Sequence, residues 1–184
     1  MRKFITILAF ATISIGPQVM AQEAPEVTDP VPAAVEQLRH VIGAWNVETD
    51  FIGPDGEILG TVPGRYEFAW VMPDRIISGW SEQPTLQQKS AILFFHRPAS
   101  KEIEMVSVGA DGRLWRMTGP EDKETRTTPN ETMADGSTLK LRFTRHGVTP
   151  DSFHSTMELS SDGGKNWRIG NQQRFTRAHK SPDS

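Results

Sequence analysis

The side chains able to do chemistry in this chain are present but thinly spread. Its five histidines, His40, His96, His146, His154 and His179, stand far apart. Only His146 and His154 are placed to meet, flanking one hairpin as cross-strand neighbours, and two imidazoles without a nearby cysteine or an obvious third carboxylate make a poor zinc site. No metal is expected, and the pair reads as solvated or structural. His40, just ahead of Gly43-Ala44-Trp45, reads as a surface or helix-end residue. The chain has no Gly-x-Ser-x-Gly elbow, no His-Glu-x-x-His pair and no phosphate-cradling glycine loop. No catalytic residue is therefore assigned and no cofactor is expected. Carboxylates distant in sequence can still meet and transfer protons, but nothing singles a pair out.

Two further patterns could suggest sugar chemistry. Ser160-x-Asp162-x-Gly164-x-x-Trp167 matches the Asp-box of sialidase propellers, yet a propeller needs several copies in series and this motif occurs once. It reads as a hairpin in which Ser160 and Asp162 hold the turn while Trp167 enters the core. Five tryptophans could stack on carbohydrate, but Trp45, Trp70, Trp80 and Trp167 begin or end expected strands, where core aromatics pack. Asn130-Glu131-Thr132 is a formal glycosylation acceptor.

The elements that must position these groups follow from the chain's punctuation. Arg2 and Lys3, the apolar run Phe4 to Gly16, and small residues up to Ala21 have the form of a secretory signal peptide over 1–21. The run is too short to span a bilayer, which takes about 20 apolar residues, and lipid attachment would need a cysteine that the chain lacks. Without cysteine there is no disulfide, so the fold must be held by its core. Residues 22–32, rich in proline and acid, read as a flexible tether. Loss of Arg2 and Lys3 makes the remainder more acidic than the whole chain's charge of −3, which argues against nucleic acid or an anionic membrane as partner. Oligomeric state is not legible.

Val35, Leu38, Val41 and Ile42 recur at helical spacing, with Gly43 available to end a short helix. From Trp45 the pattern turns to alternation. Asp55-Gly56, Asp111-Gly112, Asp135-Gly136 and Asp162-Gly163 supply the positive φ that tight hairpins need. Between the turn signals, strands are expected near 45–52, 57–70, 75–83, 88–96, 102–109, 113–118, 125–133, 138–146, 152–160 and 167–177. A long meander leaves two raw edges unless it closes, so the expected fold is all-β: a single up-and-down antiparallel barrel over 33–178, followed by a polar tail at 179–184.

Alternation then assigns faces. Trp45, Val47, Thr49 and Phe51 should point inward, as should Tyr66, Phe68 and Trp70; Met105 and Ser107; Leu141 and Phe143; and Phe153, Ser155 and Met157. On the last strand Trp167, Ile169, Asn171, Gln173 and Phe175 should share the inner face. A barrel of this size leaves room inside. Candidate ligand contacts are Tyr66, Phe68, Ser107, Phe143, Ser155, Met157, Asn171 and Gln173, though the polar members could instead satisfy one another or bind buried water.

Gly43-Ala44-Trp45, after a short helix and opening the first strand, resembles the Gly-x-Trp entrance of lipocalins and their calycin relatives. From about Leu38 to Arg177 the chain resembles the DUF1579 family, lipocalin-like bacterial proteins of unknown function. The residues that carry this are Ile42-Gly43-Ala44-Trp45, Gly64-Arg65-Tyr66-Glu67-Phe68 and Ser161-Asp162-Gly163-Gly164-Lys165-Asn166-Trp167. The resemblance implies structural roles for Gly43 and Trp45, with the tryptophan plugging a closed end under an arginine from the last strand, a place for Arg174 or Arg177. Nitrobindins, ten-stranded relatives, hold haem through a histidine near the C-terminal strands. The strand 167–177 has none, so haem is not expected.

The leading expectation is an exported binder, periplasmic or secreted, of a small apolar or amphipathic molecule. A calycin-type enzyme using polar residues at the barrel mouth and a protein-interaction module are the alternatives. An enzyme would require a buried, pKa-shifted histidine or carboxylate beside a pocket, and an interaction module a contiguous exposed apolar patch. N-terminal sequencing of the exported protein should begin at Gln22; a start at Met1 would remove the signal-peptide reading.

Overall fold

The computed structural model describes residues 32–178. The segments 1–21 and 179–184, and the tether 22–32 apart from Pro32, lie outside the described residues. One helix, α1 (Ala33–Val41), leads into β1 (Gly43–Ile52), β2 (Ile58–Met72), β3 (Ile76–Gln83), β4 (Gln88–Arg97) and β5 (Glu102–Gly109). The chain continues through β6 (Leu114–Pro120), β7 (Thr125–Thr127), β8 (Glu131–Thr132), β9 (Thr138–Thr149), β10 (Ser152–Ser160) and β11 (Arg168–Arg177). Among the described residues a single 3-10 turn, Pro84–Leu86, sits between β3 and β4. At each Asp-Gly hairpin the glycine takes a positive φ, between 75° and 84°.

Antiparallel pairing runs from β1 through β7, passes to β9, β10 and β11, and returns to β1. Trp45 to Phe51 on β1 face Arg177 to Asn171 on β11, so the meander closes into a ten-stranded barrel. The expected strand 125–133 is in fact two pieces. β7 belongs to the ring, while β8 is a two-residue hairpin arm on the start of β9. Pro129 has no amide hydrogen to donate to a ladder, and the chain breaks there.

α1 lies across one end of the barrel. It buries Ala34, Val35, Leu38 and Val41, of which Leu38 and Val41 join Trp45, Val47, Phe68, Ile77, Ile92, Phe153 and Phe175 in the core. The polar face ties the helix to the rim: Arg39 bonds both carboxylate oxygens of Asp74 at 2.8 Å, and Gln37 Nε2 donates to the carbonyls of Glu121 and Lys123. The chain turns from helix into strand at Gly43, whose φ of +112° disfavours any side chain. A Cβ there would also press on Arg177 Nη1 at 3.1 Å.

Trp45 is fully buried and donates from Nε1 to the Val41 carbonyl at 2.9 Å. Its ring meets Phe153 edge-on at 5.0 Å, and Phe153 stacks on Phe175 at 4.1 Å. Of the two arginines that could cover it, Arg177 does so. The Arg177 guanidinium lies 4.2 Å from the ring centroid and donates to the carbonyls of Ile42, His40 and Pro150. Arg174 points instead to the outer surface, paired with Asp50 and Glu48.

Two tryptophans expected in the core lie elsewhere. A bulge leaves Gly170 without a partner, because Met157 pairs with Asn171 and Glu158 with Ile169. The bulge shifts alternation by one residue. Ile169 therefore shares a face with Glu158 and is 37% exposed, and Trp167 packs outside beneath Arg142, 4.2 Å from its ring. Trp80, opposite Glu67, also lies outside, under Lys89 and Arg65.

Removing the two candidate arginines should separate their roles. Arg177→Ala should cost about 2–3 kcal/mol of stability through lost carbonyl and ring contacts, whereas Arg174→Ala should cost about 1 kcal/mol, because its guanidinium is half-exposed and the buried Asp50 it leaves keeps the Thr61 hydroxyl as donor. Urea unfolding followed by tryptophan fluorescence measures both; equal losses would contradict the assignment.

Candidate functional site

The inner faces of the strands line a cavity of about 210 Å³ beneath α1. Its walls are mainly Phe68, Phe94, Phe143, Phe153, Phe175 and Met157, with Leu38 and Val41 from the helix as a roof. A polar belt, Tyr66, Ser81, Ser90, Ser107 and Gln173, crosses the side farther from the helix, and Gln37, Arg126 and Arg145 bring polar atoms to the helix side. The volume exceeds the roughly 150 Å³ of an apolar cavity able to hold benzene. It falls below the roughly 300 Å³ at which sites for drug-sized molecules begin.

The belt is largely satisfied from within. Gln173 Nε2 donates to Thr49 Oγ1 and to the Tyr66 hydroxyl, both at 3.1 Å, and its Oε1 accepts from Ser155 at 3.1 Å. Gln83 donates to Thr49 from the other side. Burial pushes the Tyr66 phenol above its ordinary value, and hydrogen bonds to Gln173 and Ser81 temper the shift. The phenol thus remains a neutral hydrogen-bonding group at any ordinary pH.

The helix side is built differently. Arg145, 5.5 Å from the Phe153 ring, makes a bidentate pair with Glu124 at 2.8 Å and 2.8 Å. It also reaches His40 Nδ1 at 3.2 Å, while His40 Nε2 contacts the Thr149 carbonyl at 2.6 Å. A guanidinium only donates and a carbonyl only accepts, so these partners fix His40 as the neutral imidazole protonated on Nε2. Its ring packs 5.6 Å from both Trp45 and Phe153. Burial, with Arg145 and Arg177 nearby, holds the His40 pKa below the usual imidazole value despite the Thr149 bond and Glu124. His40 does stand at the helix end, as the sequence reading allowed, but as a half-buried part of the plug rather than on the surface.

Arg126, on β7, is 4% exposed. Its Nη2 donates to Gln37 Oε1 at 2.6 Å, and its Nε has no hydrogen-bond partner among the described residues. Burial, then repulsion from Arg145, brings its pKa down to about 10 against the opposing attraction of Glu124, so it stays charged at neutral pH.

Of the candidate contacts read from the sequence, Tyr66, Phe68, Ser107, Phe143, Met157 and Gln173 come together around the cavity. Ser155 and Asn171 do not line it. Ser155 is buried behind Gln173, its hydroxyl spent on the Oε1, and Asn171 lies one inward position farther along β11, beside the bulge. Asp162 organises the β10–β11 turn. Its Oδ1 accepts from Ser160, Lys165 and Asn166 and its Oδ2 from the Asn166 amide, which holds its carboxyl well below the usual range. His146 and His154 are cross-strand neighbours with stacked rings 5.7 Å apart. No group of three or more potential metal ligands occurs among the described residues.

Sequence reasoning missed Gln37, Arg126 and Arg145. Arg145 had a readable signal, since it continues the inward series Leu141, Phe143 by two. Arg126 had none, because β7 is only three residues long and an arginine between threonines reads as outward.

No family model matches the chain and no curated protein matches it. Among solved structures, it is similar to the S-type phycobiliprotein lyase CPES from Guillardia theta. Identity is 12%, the match covers 79% of this chain and 93% of that one, and the TM-score is 0.48. A second similar structure is EF1p2_mFAP2b bound to DFHBI, at 14% identity, covering 80% of this chain and 99% of that one, with a TM-score of 0.31.

His40 carries a pH prediction. Above the free imidazole value of 6.5, folded and unfolded chains are both neutral at this site. Below it the unfolded chain takes up a proton that the folded site resists, so stability falls as pH drops from 6.5 through the lower folded value. NMR titration should place His40 below 6.5, and His40→Gln should flatten this part of the stability profile. A midpoint at or above 6.5 would contradict the burial of this imidazole beside two guanidiniums.

Proposed function

We propose that this protein is an exported, lipocalin-like barrel of the DUF1579 kind that binds a small, largely apolar or amphipathic molecule in its interior, in the periplasm or after secretion. The observation that carries the reading is the 210 Å³ cavity inside a closed sheet, walled by aromatic side chains and crossed by a few placed polar groups. That mixture suits recognition of a small molecule. Its size fits a body of one or two rings, or a short aliphatic chain.

The aromatic walls act through area rather than direction. Burying a ligand's apolar surface against Phe68, Phe94, Phe143 and Phe153 yields about 25 cal/mol for each Å² removed from water. The polar belt orients it. Tyr66 and Gln173 hold each other in place, so the belt presents fixed rather than mobile groups, and ordering it on binding costs little. Export is supported by the N-terminal pattern of charge, apolar run and small residues over 1–21.

Native mass spectrometry of the protein purified from its own host should show a noncovalent adduct lost on unfolding. Ser107→Phe, which adds a ring to the cavity wall, should abolish the adduct while leaving the barrel folded. A uniformly unoccupied wild-type protein, or an adduct indifferent to Ser107→Phe, would remove the proposal.

A further inference from the structure

We infer that the molecule held in the cavity carries one carboxylate, and that this group pairs with Arg126. The inference rests on the small-molecule reading above and narrows it to a monoanion with an apolar body. Its basis is an imbalance at the helix side of the cavity. Two guanidiniums, Arg126 and Arg145, line the space, and the carboxylate facing them, Glu124, commits both oxygens to Arg145. Arg126 receives only a neutral acceptor, Gln37 Oε1. Glu124 favours the Arg126 charge from a distance, but one carboxylate then serves two guanidiniums, and an incompletely compensated buried charge is costly. Arg126 also keeps a buried donor, Nε, with no hydrogen-bond partner among the described residues.

The surroundings hold the guanidinium in place. Gln37 is anchored by its own amide nitrogen to the carbonyls of Glu121 and Lys123, so its oxygen faces Arg126 from a fixed position. The guanidinium carbon stands 6.0 Å from the Phe94 ring, which lines the same cavity. A carboxylate entering here would accept from a guanidinium already oriented and shielded from water, the setting in which charge-assisted hydrogen bonds are strongest. Two guanidiniums sharing one carboxylate leave one positive charge in excess, which calls for one negative charge. A phosphate-like dianion would leave a surplus charge in an apolar space. The opposite side needs no ion, since Gln173, Ser155, Thr49 and Tyr66 already satisfy one another. The ligand should lie with its acid toward α1 and its apolar body among Phe68, Phe143 and Met157.

Calorimetric titration of the purified chain with 3-phenylpropanoate and with 3-phenylpropan-1-ol tests this, because the two share a skeleton and differ in charge. Both should bind, the carboxylate roughly ten- to hundredfold more tightly. Arg126→Met should erase that preference and leave the alcohol's affinity unchanged, while Arg126→Lys should keep part of it. An alcohol that binds wild-type protein as tightly as the acid overturns the inference and leaves the cavity reading standing. So does a preference that survives in folded Arg126→Met. If neither compound binds, the cavity reading fails and the inference falls with it. The wild-type comparison needs no variant, so the test holds even if Arg126→Met does not fold.

Discussion

Closure of the sheet is the constraint on which everything else depends. β1 must bond to β11 as well as to β2, and the seven register pairs from Trp45 and Arg177 to Phe51 and Asn171 make it a strand with no free edge. The aromatic plug sits where this junction begins. Trp45 lies on the first strand, Arg177 on the last, and the guanidinium stacks on the indole while binding carbonyls of the incoming helix end. One contact thus ties together helix, first strand and last strand. Were the ends to part, the core of Trp45, Phe153 and Phe175 would open to water and the cavity would lose its walls.

Within that frame, polar groups divide into those the fold uses and one it leaves over. The amide of Gln173 has both hydrogens and its oxygen engaged, and the resulting cluster of Thr49, Tyr66, Ser155 and Gln173 spans β1, β2, β10 and β11. Such a network pins strand register from inside. Arg145 is similarly discharged by Glu124 and used to hold His40 under the rim. Arg126 is the exception. Buried polar groups are nearly always matched, so a mismatch inside a cavity is better read as unfinished recognition than as structural support.

Much of the architecture was legible because it is local. Asp-Gly turns and alternation place nearly every strand to within a few residues, and closure follows from their number. What failed had non-local causes. The bulge at Gly170 is set by how β10 and β11 meet, and it turns Trp167 and Ile169 outward against an otherwise regular alternation. The choice of Arg177 over Arg174, by contrast, was readable, since Arg177 continues the inward series Asn171, Gln173, Phe175 by two while Arg174 falls between its members. Site residues followed the same division. Tyr66, Phe68, Ser107, Phe143, Met157 and Gln173 sit on long strands whose faces can be read. Arg126 sits on a strand of three residues, and Gln37 is turned toward it only because α1 lies across the end of the barrel.

The ring is not uniform. β6 and β7 share one register pair, Thr118 with Thr127, while β7 and β9 share three. A cylinder closed by hydrogen bonds breathes at its thinnest staves, because few bonds must break there to part them. Arg126 lies on that stave. An anionic occupant held by it would link a loosely zipped strand to the aromatic walls opposite, so that filling the interior and tightening the shell become one thermodynamic event.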